Sequence, residues 1–166
     1  MVYIIITERQ EKGNRKMKTI VFDMDGTIAN LYGVPNWLDM IRNEDPTPYI
    51  VAAPIYNPMA LLEVLDALKA QGWRIAVTSW LAMGATKEYN TAVRQAKRNW
   101  LEMIGFPADE IHIVKYGTTK ANCTRHHGGF QILVDDNEKV RKGWTLGDTI
   151  DANENILKEL VKLLDF

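Results

Sequence analysis

Four aspartates in this chain stand where carboxylates are costly. Asp23 and Asp25 lie in "VFDMDGTIAN" (Val21 to Asn30), where an apolar run ends and Gly26-Thr27 turns the chain. Far downstream, "FQILVDD" ends in the same way on Asp135 and Asp136. Like charges held close repel, and each resists leaving water, so a metal ion, a proton or plain exposure at a turn must relieve them. Two other apolar runs also end on polar groups: "RIAVTSW" carries Thr78 and Ser79, and "EIHIVK" ends at Lys115, with Lys120 opening "KANC" shortly after.

Together these groups suit a hard divalent cation and a phosphate. Mg²⁺ takes a few carboxylate oxygens, waters and a phosphate oxygen. An aspartate can act as the nucleophile in covalent phosphoryl transfer. The rest of that chemistry is positioning and charge stabilisation. Thr78, or its neighbour Ser79, can donate to a phosphoryl oxygen, and a lysine supplies a point charge. The plainer reading of Asp-Gly after a strand is a turn. The second acidic pair at another strand end argues against it.

The elements that would position these groups follow from apolar periodicity. "KTIVFDMD", "RIAVTSW", "EIHIVK" and "FQILVDD" read as four buried strands of parallel type. "PMALLEVLDALKAQGW" reads as a helix, with Pro58 in its first turn and Leu61, Leu62, Leu65 and Leu68 as its stripe. "ATKEYNTAVRQAKRNWLEMIG" is a long helix burying Tyr89, Val93, Ala96, Trp100 and Ile104, with Gly105 as its stop. "DANENILKELVKLL" is the last helix, Asp151 and Glu154 having capping-box spacing. Between residues 29 and 57 the pattern is broken: "VPNWLDMIRN" forms one short amphipathic helix, and "EDPTPYIVAAPIYNP" is Pro-rich with some extended character. Strands alternating with helices predict an α/β, Rossmann-like parallel sheet with helices on both faces. Ligands in such sheets bind beyond the carboxyl ends of the strands, where the four polar ends would meet.

Composition sets the outer bounds. The 166 residues suit one domain, and the formal net charge of −1 gives no whole-chain case for nucleic acid or membrane binding. The single cysteine, Cys123, allows no internal disulfide, which fits a reducing, cytoplasmic setting. No apolar run approaches the roughly 20 residues that span a bilayer. Residues 1–16 read as an extension or an edge hairpin, and 17–166 as the domain proper.

"DMDGT", then "VTS", a downstream lysine and "LVDD", in that order and after apolar strands, resemble the haloacid dehalogenase (HAD) superfamily over roughly Lys18 to Val140. The resemblance implies a nucleophile at Asp23 and a general acid/base at Asp25. It implies Mg²⁺ held by the Asp23 carboxylate, the Asp25 backbone carbonyl and an acid of the last motif, Asp135 or Asp136. An acidic residue at the second position is similar to the phosphatase branch. Phosphate would be held by Thr78, Ser79 and a lysine, Lys120 being favoured over Lys115. Residues 29–57 fall where the family places its cap, here a small helical one. The segment "CTRHHGGF" looks longer than is usual in the family, and His126 and His127 read as a solvated loop.

Within that superfamily the chain is most similar to the 5′(3′)-deoxyribonucleotidase type, on "VTSW", the long basic helix after it, "VDD" and Trp144. This implies a small-molecule phosphate ester as substrate, a (deoxy)ribonucleoside monophosphate, with Tyr32, Trp37 and Trp80 as stacking platforms or as ordinary core. One alternative is a phosphatase of DNA or RNA terminal phosphates, with Lys87, Arg94, Lys97 and Arg98 along a strand backbone or forming a solvated helix face. The other is a catalytically idle HAD-like binding domain.

Overall fold

The structure, a computed structural model, describes residues 17–166. The expected extension or hairpin at 1–16 lies outside the described residues. Five strands, β1 (Lys18–Phe22), β2 (Trp73–Trp80), β3 (Glu110–Val114), β4 (Phe130–Asp135) and β5 (Thr149–Asp151), form one sheet in the order β3-β2-β1-β4-β5. Every pairing is parallel. The chain builds outward from β1 in one direction, then returns to build in the other. The reversal falls between β1 and β4, and the crevice at their carboxyl ends is where such sheets bind ligands.

Alternation along the strands sorts the core into two layers. Ile20, Phe22, Ile75, Val77, Ile132 and Val134 face one side. They pack under α3 (Pro58–Ala70), the C-terminal half of α4 (Lys87–Met103) and α7 (Ile156–Lys162), through Leu61, Leu65, Leu68, Trp100, Leu101, Ile156 and Leu160. Val21, Ala76 and Leu133 face the other side, against Trp144 and the Ala121 of α5 (Ala121–Thr124). The remaining short helix, α6 (Glu138–Lys142), follows β4.

Two elements differ from the expectation. The last helix begins at Ile156, capped by Asn155, whose side chain accepts from Lys158 N; Asp151 instead ends a fifth strand. That strand is three residues long with only Ile150 buried, so it has no apolar run to announce it. The Pro-rich stretch contains a helix, α2 (Thr47–Val51), preceded by α1 (Trp37–Arg42). Asp45 starts α2 by accepting from the backbone N–H of Thr47 (2.9 Å), while Pro48 sits in the first turn, where no intrahelical donor is needed.

The segment between β1 and α3 folds over the strand ends and is tied to α4. Glu44 accepts from Thr86 N (2.8 Å) and Thr86 Oγ1 (2.6 Å). Tyr89 donates its hydroxyl to the Asp45 carbonyl (3.1 Å), and Trp100 donates Nε1 to the Ala52 carbonyl (2.7 Å) in a buried bond. Trp100→Phe keeps the ring packing and leaves that carbonyl without its donor. The expected loss is about 1–3 kcal/mol of stability, measured by chemical denaturation, with faster hydrogen exchange over 47–52.

Candidate active site

Strand register brings the first three groups together. Phe22 is level with Val77 on one neighbour and Val134 on the other. The next position on each strand is therefore a row of Asp23, Thr78 and Asp135, all on one face of the sheet. Asp23 N still pairs with the Val134 carbonyl (2.9 Å), which locks the row at the end of β1.

Lys120, at the start of α5, reaches into this row. Its Nζ donates to Asp23 Oδ1 (2.6 Å) and Asp135 Oδ2 (2.7 Å), in a buried pairing. Lys115 is exposed. Asp135 Oδ1 accepts from Asn137 N (2.9 Å), so both its oxygens are occupied. Thr27 bridges the two acidic segments: its hydroxyl donates to Asp23 Oδ2 (3.3 Å) and accepts from Asp136 N (3.2 Å). The tight turn between them needs a glycine. Gly26 has φ +79°, and a Cβ there would collide with the Asp136 carboxylate and the Tyr32 ring.

Thr78 is fully buried, and its Oγ1 makes no hydrogen bond; the Cys123 thiol lies beside it without good hydrogen-bond geometry. Ser79, expected beside the phosphate, lies on the opposite face of β2. There its Oγ accepts from Lys97 Nζ (2.8 Å).

Lys97 is the residue at the site that the sequence reading misplaced. Lys87 and Arg98 are exposed as a solvated face requires, but Lys97 is 1% exposed and points into the site. Its Nζ also donates to Asp25 Oδ2 (2.6 Å) and the Trp80 carbonyl (2.7 Å), under the ring of Tyr49. The signal was its position, four residues after Val93 and three before Trp100, on the buried stripe of α4.

Four carboxylates thus converge with two ammonium groups, leaving two negative charges when all are ionised, the complement of one divalent cation. Carboxylate oxygens of Asp23, Asp135 and Asp136 all lie within 4.8 Å of one another. An all-oxygen set of this kind fits Mg²⁺. Burial, then Asp23 and Asp135, push Asp136 up to about 6. Burial also raises Asp135 and Asp25, with Asp23 adding to both, while Lys120 and Lys97 respectively offset part of the rise. Burial works against the Lys120 ammonium, but Asp23 and Asp135 overcome it and hold its pKa above the ordinary lysine value.

The acids open onto a cleft of about 610 Å³. Tyr32 and Trp37 meet edge-on with ring centres 5.0 Å apart, and Trp80 and Tyr116 meet at a tilt with theirs 4.9 Å apart. All four line the cleft. Trp144 instead packs in the core, donating Nε1 to the Gln131 carbonyl (3.3 Å). The histidine segment is no free loop: His127 Nε2 lies 2.7 Å from Glu110 Oε1, and ligand atoms of Glu110, His126 and His127 fall within 4.8 Å of one another. Arg74 Nε, 3.7 Å from the same carboxylate, already supplies positive charge there.

No protein-family model matches the sequence, and no curated protein does. Among solved structures the chain is similar to the D,D-heptose 1,7-bisphosphate phosphatase from Burkholderia thailandensis, at 17% identity and a TM-score of 0.48, over 79% of this chain and 74% of that one. It is also similar to the D,D-heptose 1,7-bisphosphate phosphatase from B. bronchiseptica complexed with magnesium and phosphate, at 15% identity and a TM-score of 0.45, over 89% of this chain and 99% of that one. Likeness this distant assigns neither activity nor substrate. Among the described residues no helix is long and apolar enough to cross a membrane.

The raised Asp136 pKa carries a sign. Its folded value of about 6 exceeds the reference 3.8, so the folded state favours the protonated form, and that stability is lost as pH rises through about 6. Asp136→Asn removes the ionisation. In metal-free protein its melting temperature should exceed wild type at pH 7–8, with the difference shrinking toward pH 4, as read by thermal scans with EDTA.

Proposed function

We propose that the chain is a Mg²⁺-dependent phosphomonoester hydrolase of the HAD type, working through an aspartyl-phosphate on Asp23. The observation that carries this reading is the meeting of Asp23 and Asp135, from distant segments, on one buried lysine, with Asp136 within 4.8 Å of both. Asp23, Asp135 and Asp136 would hold the metal, with the Asp25 carbonyl added as the resemblance implies. Bound there, Mg²⁺ would neutralise charge and polarise a phosphoryl oxygen.

The chain's own groups supply the remaining chemistry. Lys120 and Thr27 each hold one oxygen of Asp23 and so fix the plane of its carboxylate. An oxygen of Asp23 attacks phosphorus as the ester P–O bond breaks, and Asp25 gives its proton to the leaving oxygen. Asp25 then takes a proton from water, whose oxygen attacks phosphorus and releases Asp23 and inorganic phosphate. Thr78 Oγ1, a buried donor without a partner, is assigned to a phosphoryl oxygen, and Lys120 balances charge on the same group. Ser79 is assigned to hold Lys97 rather than phosphate.

The substrate we assign is a nucleoside monophosphate. The two aromatic pairs at the mouth give a base flat surfaces, and base–aromatic stacking contributes about 1–3 kcal/mol per base. The helices α1 and α2 would serve as the small cap, within residues 29–57. A second reading, the terminal phosphate of a nucleic acid, is favoured by one observation. The cleft continues past Trp80 and Tyr116 into an adjoining hollow of about 410 Å³, lined in part by Thr118, Thr119 and Lys139.

Asp23→Asn should lower phosphate release by roughly 10³-fold or more while leaving the fold intact. Retained activity in that variant refutes the nucleophile assignment. EDTA should silence the wild type and Mg²⁺ restore it. A phosphate-release screen over mononucleotides, sugar phosphates and 3′- or 5′-phosphorylated oligonucleotides identifies the substrate. A steep loss of oligonucleotide turnover with rising salt marks the polymer reading, and a shallow response the mononucleotide one.

A further inference from the structure

Lys97 has no part in the sequence of steps above, yet it is the most completely enclosed cation among the described residues. Its side chain is 1% exposed, and its ammonium is saturated by three oxygens, Asp25 Oδ2, Ser79 Oγ and the Trp80 carbonyl. An ammonium has three protons to donate, and all three are used. The Tyr49 ring, 4.9 Å from Nζ, closes the remaining side.

We infer that Lys97 is a positioning residue for Asp25: it holds Oδ2 so that the other carboxyl oxygen faces the cleft, where the leaving oxygen and later the attacking water must stand. The inference rests on the hydrolase reading. Three features of the geometry carry it. Asp25 lies in a turn rather than a strand, so the sheet does not fix its side chain as it fixes Asp23. Apart from Lys97, no side chain among the described residues donates a hydrogen bond to Asp25. Lys97 is itself immobilised by β2 through Ser79 and Trp80, so the orientation of Asp25 is referred to the same strand that carries Thr78.

A purely structural ion pair would predict otherwise. Where a buried pair serves stability alone, apolar residues of similar volume do as well or better. The Lys97 partner is instead a carboxylate that lines the open cleft, 18% exposed at its side chain. The Ser79 hydroxyl, on the strand face away from Asp23, has Lys97 as its hydrogen-bond partner.

The test separates proton delivery from folding and from binding. Lys97→Met keeps the stem and removes the ammonium. Hydrolysis of p-nitrophenyl phosphate, whose leaving group needs little protonation, is compared with that of benzyl phosphate, a similar ester with an alkoxide leaving group. General acid catalysis is worth about 10²–10⁴-fold. The variant should lose about 10²-fold in kcat/KM on benzyl phosphate and under about tenfold on p-nitrophenyl phosphate, this ratio reading the first half-reaction alone because hydrolysis of the aspartyl-phosphate is common to both esters, and inhibition by inorganic phosphate should be little changed. Adding Lys97→Met to Asp25→Asn should cost nothing further, because the two act as a unit. An equal loss on both esters, or additive losses in the double variant, overturns the inference while leaving the hydrolase reading standing. Wild type inactive on both esters with Mg²⁺ refutes the hydrolase reading and the inference with it. Should Lys97→Met fail to fold by circular dichroism, Ser79→Ala carries the same comparison, with a smaller loss confined to benzyl phosphate supporting the role and an equal loss refuting it.

Discussion

Electrostatic balance at the carboxyl ends of β1 and β4 governs the arrangement of everything around it. Four acids gathered at one crevice, Asp23 and Asp135 buried and Asp25 and Asp136 half-buried, would drive the strand ends apart unless opposed. The fold opposes them with Lys120 and Lys97, each buried and each delivered by the helix after a different strand. Two negative charges remain, and burial, with the Asp23 charge adding to it, holds Asp136, Asp135 and Asp25 above the usual carboxylate range. The sheet therefore holds a charge deficit in place by its own hydrophobic cohesion. Ile20, Val21, Phe22, Leu133 and Val134 are wholly enclosed directly beneath the acids.

The two lysines divide the labour in a way that follows from where they start. Lys120 bridges Asp23 and Asp135 and so joins the two strands on either side of the chain reversal. Lys97 joins Asp25, in the turn, to the end of β2. Each acid of the "DMD" pair thereby has its own cation, which keeps two neighbouring carboxylates in different environments. Separate environments are what allow chemically identical side chains to take different roles.

Much of this was legible in the order of residues. Strands buried on both faces leave continuous apolar runs, so β1 to β4 and their polar ends stood out. Lys120 could be preferred to Lys115 because the family the motifs resemble places its lysine just before or at the helix that follows this strand. What escaped notice lacked such a signature. The strand β5 has one buried residue, and its partners supply the hydrogen bonds that define it. The helix α2 was masked by prolines that suit its first turn. Lys97 sat within a run of surface charges, and only its place on the apolar stripe of α4 distinguished it. Charge alone reads as solvent-facing, and a stripe is ordinarily searched for apolar residues.

The stitching of residues 44–52 to α4 has a mechanical consequence. A roof fastened through Glu44 and Asp45 to the start of one helix, and through Ala52 to the same helix about three turns on, cannot swing away without breaking those bonds together. Whatever enters the cleft must then pass through a standing doorway, beside the exposed side chains of Leu38 and Met83, rather than waiting for a flap to lift. The same helix that steadies the roof also carries the cation under Asp25. Any change in the tilt of that helix would alter the shape of the entrance and the aim of the carboxyl group in one movement.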